Sequence, residues 1–162
     1  MGADLYIEKI HYPLMQQYEP LFEAAVRRRD SLPQKSKEAA AAQREVTKYY
    51  DLMYSEGYFR DSYNSTNVLN RLGLSWWTDV QPLCTKNRKL RHDKLRKFRD
   101  MVAVAKLELP SKEEIEKHSG KVDEQGENSL AEWHKYFAGK QAELLAFLDK
   151  AIELNSPVYC SL

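Results

Sequence analysis

Apolar residues recur at steps of three and four along most of this chain, the period at which side chains share one face of an α-helix. Between Pro13 and Arg29 the repeating positions are Leu14, Tyr18, Leu21, Phe22 and Ala25, and Asp30, Ser31 and Pro33 close the pattern. Ser36 is placed to cap a second helix with Ala39, Ala42, Val46, Tyr49, Tyr50 and Met53 on its inner stripe, ending near Gly57. Val68, Leu69 and Leu72 predict a short helix capped by Asn64 or Ser65 and closed by Gly73. Ser75 opens another short piece, which Pro82 limits. Leu95, Phe98, Val102 and Ala105 predict a longer helix running to about Leu107. Ser111 with Glu114, and Ser129 with Glu132, have the spacing of capping boxes. The second of these opens the strongest helix, with Leu130, Trp133, Phe137, Leu144, Leu148, Ala151 and Ile152 on one face and Asn155 and Pro157 as its stop.

Only the two ends have strand character, in Leu5, Tyr6 and Ile7 and in Val158, Tyr159 and Cys160. Residues 58–64 show no period and read as a structured connection, and residues 121–128 as a loop. The expected fold is all-α, a single helical domain over residues 1–162. It is an irregular bundle of about five to seven helices, with room for a short two-stranded pairing of the termini.

Composition agrees with one ordered domain: 43% of the 162 residues are apolar and 30% charged, and a chain of this size buries roughly 70% of its extended surface on folding. The formal charge of +1 supplies no whole-molecule attraction to nucleic acid or to an anionic membrane, so any such attraction must be local. No apolar run reaches the roughly 18 residues of a spanning helix, and Asp4, Glu8 and Lys9 interrupt any signal-peptide core at the start, so a cytoplasmic protein is expected. Cys84 and Cys160 stand far apart, which predicts two free thiols in a reducing compartment.

Two constellations carry candidate chemistry. Eight of the eighteen aromatics fall between Tyr49 and Val80. Tyr49, Tyr50 and Met53 belong to a helical stripe, but Tyr58, Arg60, Asp61, Tyr63, Trp76, Trp77 and Asp79 share no single face. Successive helical residues point about 100° apart, so Trp76 and Trp77 cannot both enter one core. The expected reading is a non-enzymatic binding protein that uses residues 58–79 for another protein or a small planar ligand, with aromatic stacking and charged hydrogen bonds.

The second constellation is basic. Lys86, Arg88, Lys89, Arg91, Lys94, Arg96, Lys97 and Arg99 face only Asp93 within residues 86–99, which makes nucleic-acid binding through Arg88, Lys89, Arg91, Arg96 and Arg99 the alternative. A helix starting at Asp93 sets these cations against its macrodipole, whereas a start at Asn87 removes the conflict. The acidic residues of 108–132 offer an internal counterweight. A third reading is an enzyme with Asp61 and Asp79 as a carboxylate pair. No cofactor and no metal site is expected, since Glu8 with His11 is the one Glu-x-x-His pair where a di-iron bundle needs two.

Overall fold

The computed structural model describes residues 2–62, 67–119 and 129–162. Helices predominate, but the expected all-α class is wrong: the chain also builds a four-stranded antiparallel sheet. The strands are β1 (Gly2–Ile7), β2 (Tyr58–Ser62), β3 (Lys89–Leu90) and β4 (Val158–Ser161), in the order β2-β1-β4-β3. The terminal segments do pair, as the two inner strands of that sheet.

Residues 58–62 were hidden as a strand because their inward positions are Phe59 and Asp61, and a buried carboxylate breaks the apolar alternation that marks strands. Strand β3 was hidden because it is two residues long and lies within the charge run. Its register pairs Lys89 with Tyr159 and Leu90 with Val158.

Two compact units form, Tyr6–Tyr58 on the one hand and Met1–Leu5 with Phe59–Leu162 on the other. In the first, α1 (Glu8–Asp30) and α2 (Lys37–Met53) make a helical hairpin. Helix α1 starts five residues before the expected Pro13 and continues through Pro13 and Pro20. Small residues, Ala25 and Ala42, are buried in the hairpin together with Val46 and Met53. Arg28 pairs with Glu45 at 2.6 Å and Arg29 donates to Gln43 at 3.1 Å. Ser36 caps α2 through the Ala39 N–H at 3.0 Å. The chain leaves α2 through Gly57, whose φ of +66° needs glycine, and the Ile7 N–H donates to the Gly57 carbonyl at 2.8 Å.

The second unit packs the inner face of the sheet, with Ala3, Leu5, Phe59, Leu90, Val158 and Cys160 all buried. Helix α3 (Val68–Arg71) is capped by Asn67, whose Oδ1 accepts from the Asn70 N–H at 2.9 Å. The caps expected at Asn64 and Ser65 lie outside the described residues. A π-helical turn over Trp76–Val80 and a 3-10 turn over Gln81–Leu83 follow. Helix α4 (His92–Val104) buries Leu95, Phe98 and Val102, and α6 (Leu130–Glu153) buries Phe137, Leu144, Phe147, Leu148 and Ala151. Each such large side chain contributes roughly 1.5–3 kcal/mol. Gln141 of α6 donates to the Val102 and Ala105 carbonyls at 3.2 and 3.4 Å, satisfying acceptors that the end of α4 leaves open. Between them, α5 (Lys112–Ser119) starts with the expected box, in which the Glu114 N–H donates to Ser111 Oγ and the Ser111 N–H to Glu114 Oε2.

Candidate functional site

The aromatic-polar segment is organised around one carboxylate. Asp61 Oδ1 accepts from the Ser62 and Val68 N–H groups at 2.9 and 3.0 Å, and Oδ2 from the Leu69 N–H at 3.2 Å and the Trp76 indole at 2.9 Å. Four donors fill the roughly four acceptor positions of a carboxylate. Burial is the strongest influence on the group and raises its pKa, while the four N–H donors pull the other way. Asp61 therefore ties strand β2 to the start of α3 and to the π-helical turn. Asp79 is engaged in the same manner, accepting from the Ser75 N–H at 2.8 Å and from Thr78 Oγ1 at 3.1 Å.

The other members of that segment are dispersed. Trp76 is buried against Phe98 with ring centroids 5.8 Å apart, whereas Trp77 is 49% exposed. Arg60 is exposed and lies 3.7 Å from Asp4. Tyr58 belongs to the first unit, where its ring lies 5.0 Å from Tyr54 and 5.3 Å from Tyr6. Tyr63 lies outside the described residues. Of the expected site residues, Asp61 and Trp76 thus form one buried knot, while Arg60 and Trp77 are exposed.

The basic stretch is arranged differently. Thr85 and Arg88 close a turn through the Arg88 N–H and Thr85 carbonyl at 2.8 Å, with Arg88 at φ +58°. Lys89 enters β3, and Arg91 is the residue before α4, giving that helix no side-chain cap. Helix α4 starts neither at Asn87 nor at Asp93 but at His92, with φ +43° there. Lys94 consequently stands in its first turn, where the macrodipole disfavours cations, and Arg96 and Lys97 in the second. Arg99 is tied to α6, its Nε 2.8 Å from Asp149 Oδ1, which raises the guanidinium pKa. Among the described residues, Lys86, Arg88, Arg91, Lys94, Arg96 and Lys97 form no ion pair and are exposed. Of the acidic residues of 108–132, Glu114 pairs with Arg71 at 3.2 Å, and Asp123, Glu124 and Glu127 lie outside the described residues.

At this end of α4 the surface is concave. A cavity of about 430 Å³ is lined by Arg91 before α4, by His92, Asp93 and Arg96 of α4, and by Asn155, Ser156 and Pro157 from the turn after α6. Asn155 has φ +47°, so non-glycine residues in the left-handed region flank both sides. The sequence marks Asn155 and Pro157 as a helix stop and nothing more. Their meeting with Arg91 and Arg96 follows from the β3–β4 pairing, which sets the start of α4 beside the turn that precedes β4.

Among the described residues no three His, Cys, Asp or Glu side chains are placed to hold a metal ion, and no helix is long and apolar enough to cross a membrane. No family model matches the chain, and no curated protein or solved structure matches it either.

Proposed function

We propose that this is a non-enzymatic, cytosolic binding protein that takes the phosphate backbone of a nucleic acid along the turn before β3 and the first turns of α4. The observation that carries the reading is the set of six exposed cations, Lys86, Arg88, Arg91, Lys94, Arg96 and Lys97, which form no ion pair among the described residues, two of them lining a cavity of about 430 Å³. That volume lies in the ligand-pocket range of roughly 300–1,000 Å³. The start of α4, uncapped by any side chain, presents N–H groups and the positive end of a helix dipole to an anion. Asp93, which lines the same cavity, lowers the local positive charge by one and opposes an anion there.

The residues 58–79 support a recognition role less well, because both of their carboxylates are occupied by backbone and side-chain donors within the fold. The same occupancy weighs against acid-base catalysis by Asp61 and Asp79.

Fluorescence anisotropy with labelled single-stranded RNA and DNA tests the reading. Binding is expected to weaken steeply with salt, with a log-log slope of about −4 if all six cations meet phosphates of a single strand. Replacing Arg88, Arg91, Lys94, Arg96 and Lys97 by Gln should abolish binding at intact helicity, while Arg99→Gln should change affinity by no more than about twofold. Absence of binding by the parent protein at low salt refutes the proposal.

A further inference from the structure

The cavity beside α4 carries charges of both signs. Arg91 and Arg96 line it, and so does Asp93. Among the described residues the Asp93 carboxylate forms neither an ion pair nor a hydrogen bond, although Arg96 and Lys97 follow it by three and four positions on the same helix, the spacing at which opposite charges meet. A site for phosphate alone gains nothing from that carboxylate, which repels the anion. A ligand that brings a hydroxyl donor together with its phosphate is answered by both signs, because an ionised carboxylate only accepts hydrogen bonds and is a strong acceptor.

The rest of the wall suits a sugar held between the two charges. Leu95, Ala151 and Pro157 supply an apolar part, and the exposed Asn155 adds an amide that both donates and accepts. About 430 Å³ lies near the lower end of the small-molecule range, room for one nucleotide unit and too little for a duplex. Asp93 and Arg96 also line the adjoining hollow along α4, of about 470 Å³, together with Lys97 and Met101. The two opposite charges therefore stand between two concavities, where successive nucleotides of a single strand pass them.

Given phosphate binding at this face, on which the inference rests, we propose that the cavity selects single-stranded RNA over DNA: Arg91 and Arg96 take the phosphate, and Asp93 accepts the hydrogen bond that a ribose 2′-hydroxyl donates. That hydroxyl is the group by which a protein tells RNA from DNA at a given site, and an acidic side chain reads it in the same way in dinucleotide-binding folds. Asp93 acts on both strands at once. It repels the phosphates of either, and only RNA carries the donor that offsets the repulsion, so the carboxylate weakens DNA while it holds RNA.

Fluorescence anisotropy on the full chain tests this with short labelled strands of one sequence free of uracil and thymine, made as RNA, DNA and 2′-O-methyl RNA. RNA is expected to bind about tenfold tighter than DNA, the worth of one hydrogen bond to a charged acceptor, and 2′-O-methyl RNA to bind within about twofold of DNA. Asp93→Ala should raise the affinity for DNA without raising that for RNA, which brings the two within about twofold. Glu153→Gln removes a carboxylate outside the cavity, paired with Lys150 at 3.2 Å, and should shift both strands alike. Circular dichroism checks that Asp93→Ala is folded, and if it is not, the 2′-O-methyl comparison in the parent protein decides alone. Equal affinity of the parent for RNA and DNA, 2′-O-methyl RNA that binds as tightly as RNA, or a folded Asp93→Ala that shifts RNA and DNA alike overturns the selectivity and leaves the phosphate reading in place. No binding of either strand at low salt overturns both.

Discussion

Replacing Asp61 by Asn separates a structural carboxylate from a ligand-facing one. The amide keeps one oxygen, which serves two of the four donors, and turns an N–H₂ group toward the other two. If Oδ2 becomes the nitrogen, the Leu69 N–H and the Trp76 indole lose their acceptor. Each unsatisfied buried donor costs about 1–3 kcal/mol. Partial relaxation of the loop lowers the sum, so the expected loss is about 2–4 kcal/mol, a large share of the roughly 5–15 kcal/mol that holds most domains. With a urea slope of about 2 kcal/mol/M, the midpoint falls by about 1–2 M. Urea unfolding followed by tryptophan emission reports both the midpoint and the environment of Trp76. Trp77→Ala is the matched control: with Trp77 49% exposed, it should shift stability by no more than about 0.5 kcal/mol. An Asp61→Asn midpoint within about 0.3 M of the parent, at an unchanged slope, refutes the four-donor account.

The pH dependence has a definite sign at two sites. Because burial raises the Asp61 pKa above its ordinary 3.8, the folded state holds that proton more tightly than the unfolded chain. Its contribution is greatest below 3.8 and declines as pH rises through the folded value, a slope that Asp61→Asn removes. His11 runs in the opposite direction: burial lowers its pKa from 6.5, outweighing a hydrogen bond to the Met53 backbone that raises it. The unfolded chain therefore takes up the proton first, and stability falls as pH drops through 6.5. Urea midpoints measured on either side of that value should differ in the parent and converge in His11→Gln; equal midpoints in the parent refute the assignment. Gly57→Ala meets two obstacles, a φ of +66° and a new Cβ 2.8 Å from that of Ile10, and should cost about 1–3 kcal/mol by thermal or urea unfolding. A neutral substitution there means that the turn has an alternative conformation.

Helices were legible wherever cap and stripe agreed. Ser36, Ser111 and Ser129 all accept the hydrogen bonds that their spacing implies, and Ala42, Val46, Leu144 and Leu148 are buried as the period requires. That Trp76 and Trp77 do not both enter the core was legible too, from the 100° step, but not which of them is inside. What stayed hidden depends on partners distant in sequence. Asp61 is a core residue only because Val68, Leu69 and Trp76 surround it with donors, so a polar letter in the sequence stands for a buried position in space. Arg99 looks like its basic neighbours until α6 brings Asp149 to it. The cavity beside α4 arises in the same way, from strand pairing between β3 and β4, and strand pairing leaves no periodic signal in a two-residue strand.

These two halves of the second unit treat local rules in opposite ways, and that contrast is the strongest argument for where function lies. Around Asp61 the unfavourable burial is answered within the fold: the carboxylate has four donors, and the donors have an acceptor. At the start of α4, Asp93 in the first turn offsets only part of the missing cap and of the cations on the positive end of the dipole, and His92 keeps a left-handed backbone. Local consistency is the norm in a folded chain, and sites of function are where it fails without internal compensation. An anion seated there relieves the first two features together, since it accepts from the uncapped N–H groups and neutralises the cations. Ligand that binds only the folded state stabilises it by about 2.7 kcal/mol at a hundred times its dissociation constant. A short polyphosphate or oligonucleotide should therefore raise the unfolding temperature by about 5–10 °C at saturation in low salt, and the effect should vanish in the five-fold Gln variant while surviving in Arg99→Gln. An unfolding temperature that ignores polyanions, in a protein whose α4 is intact by circular dichroism, means that the uncompensated start of α4 is a tolerated defect and that the basic face is ordinary solvated surface.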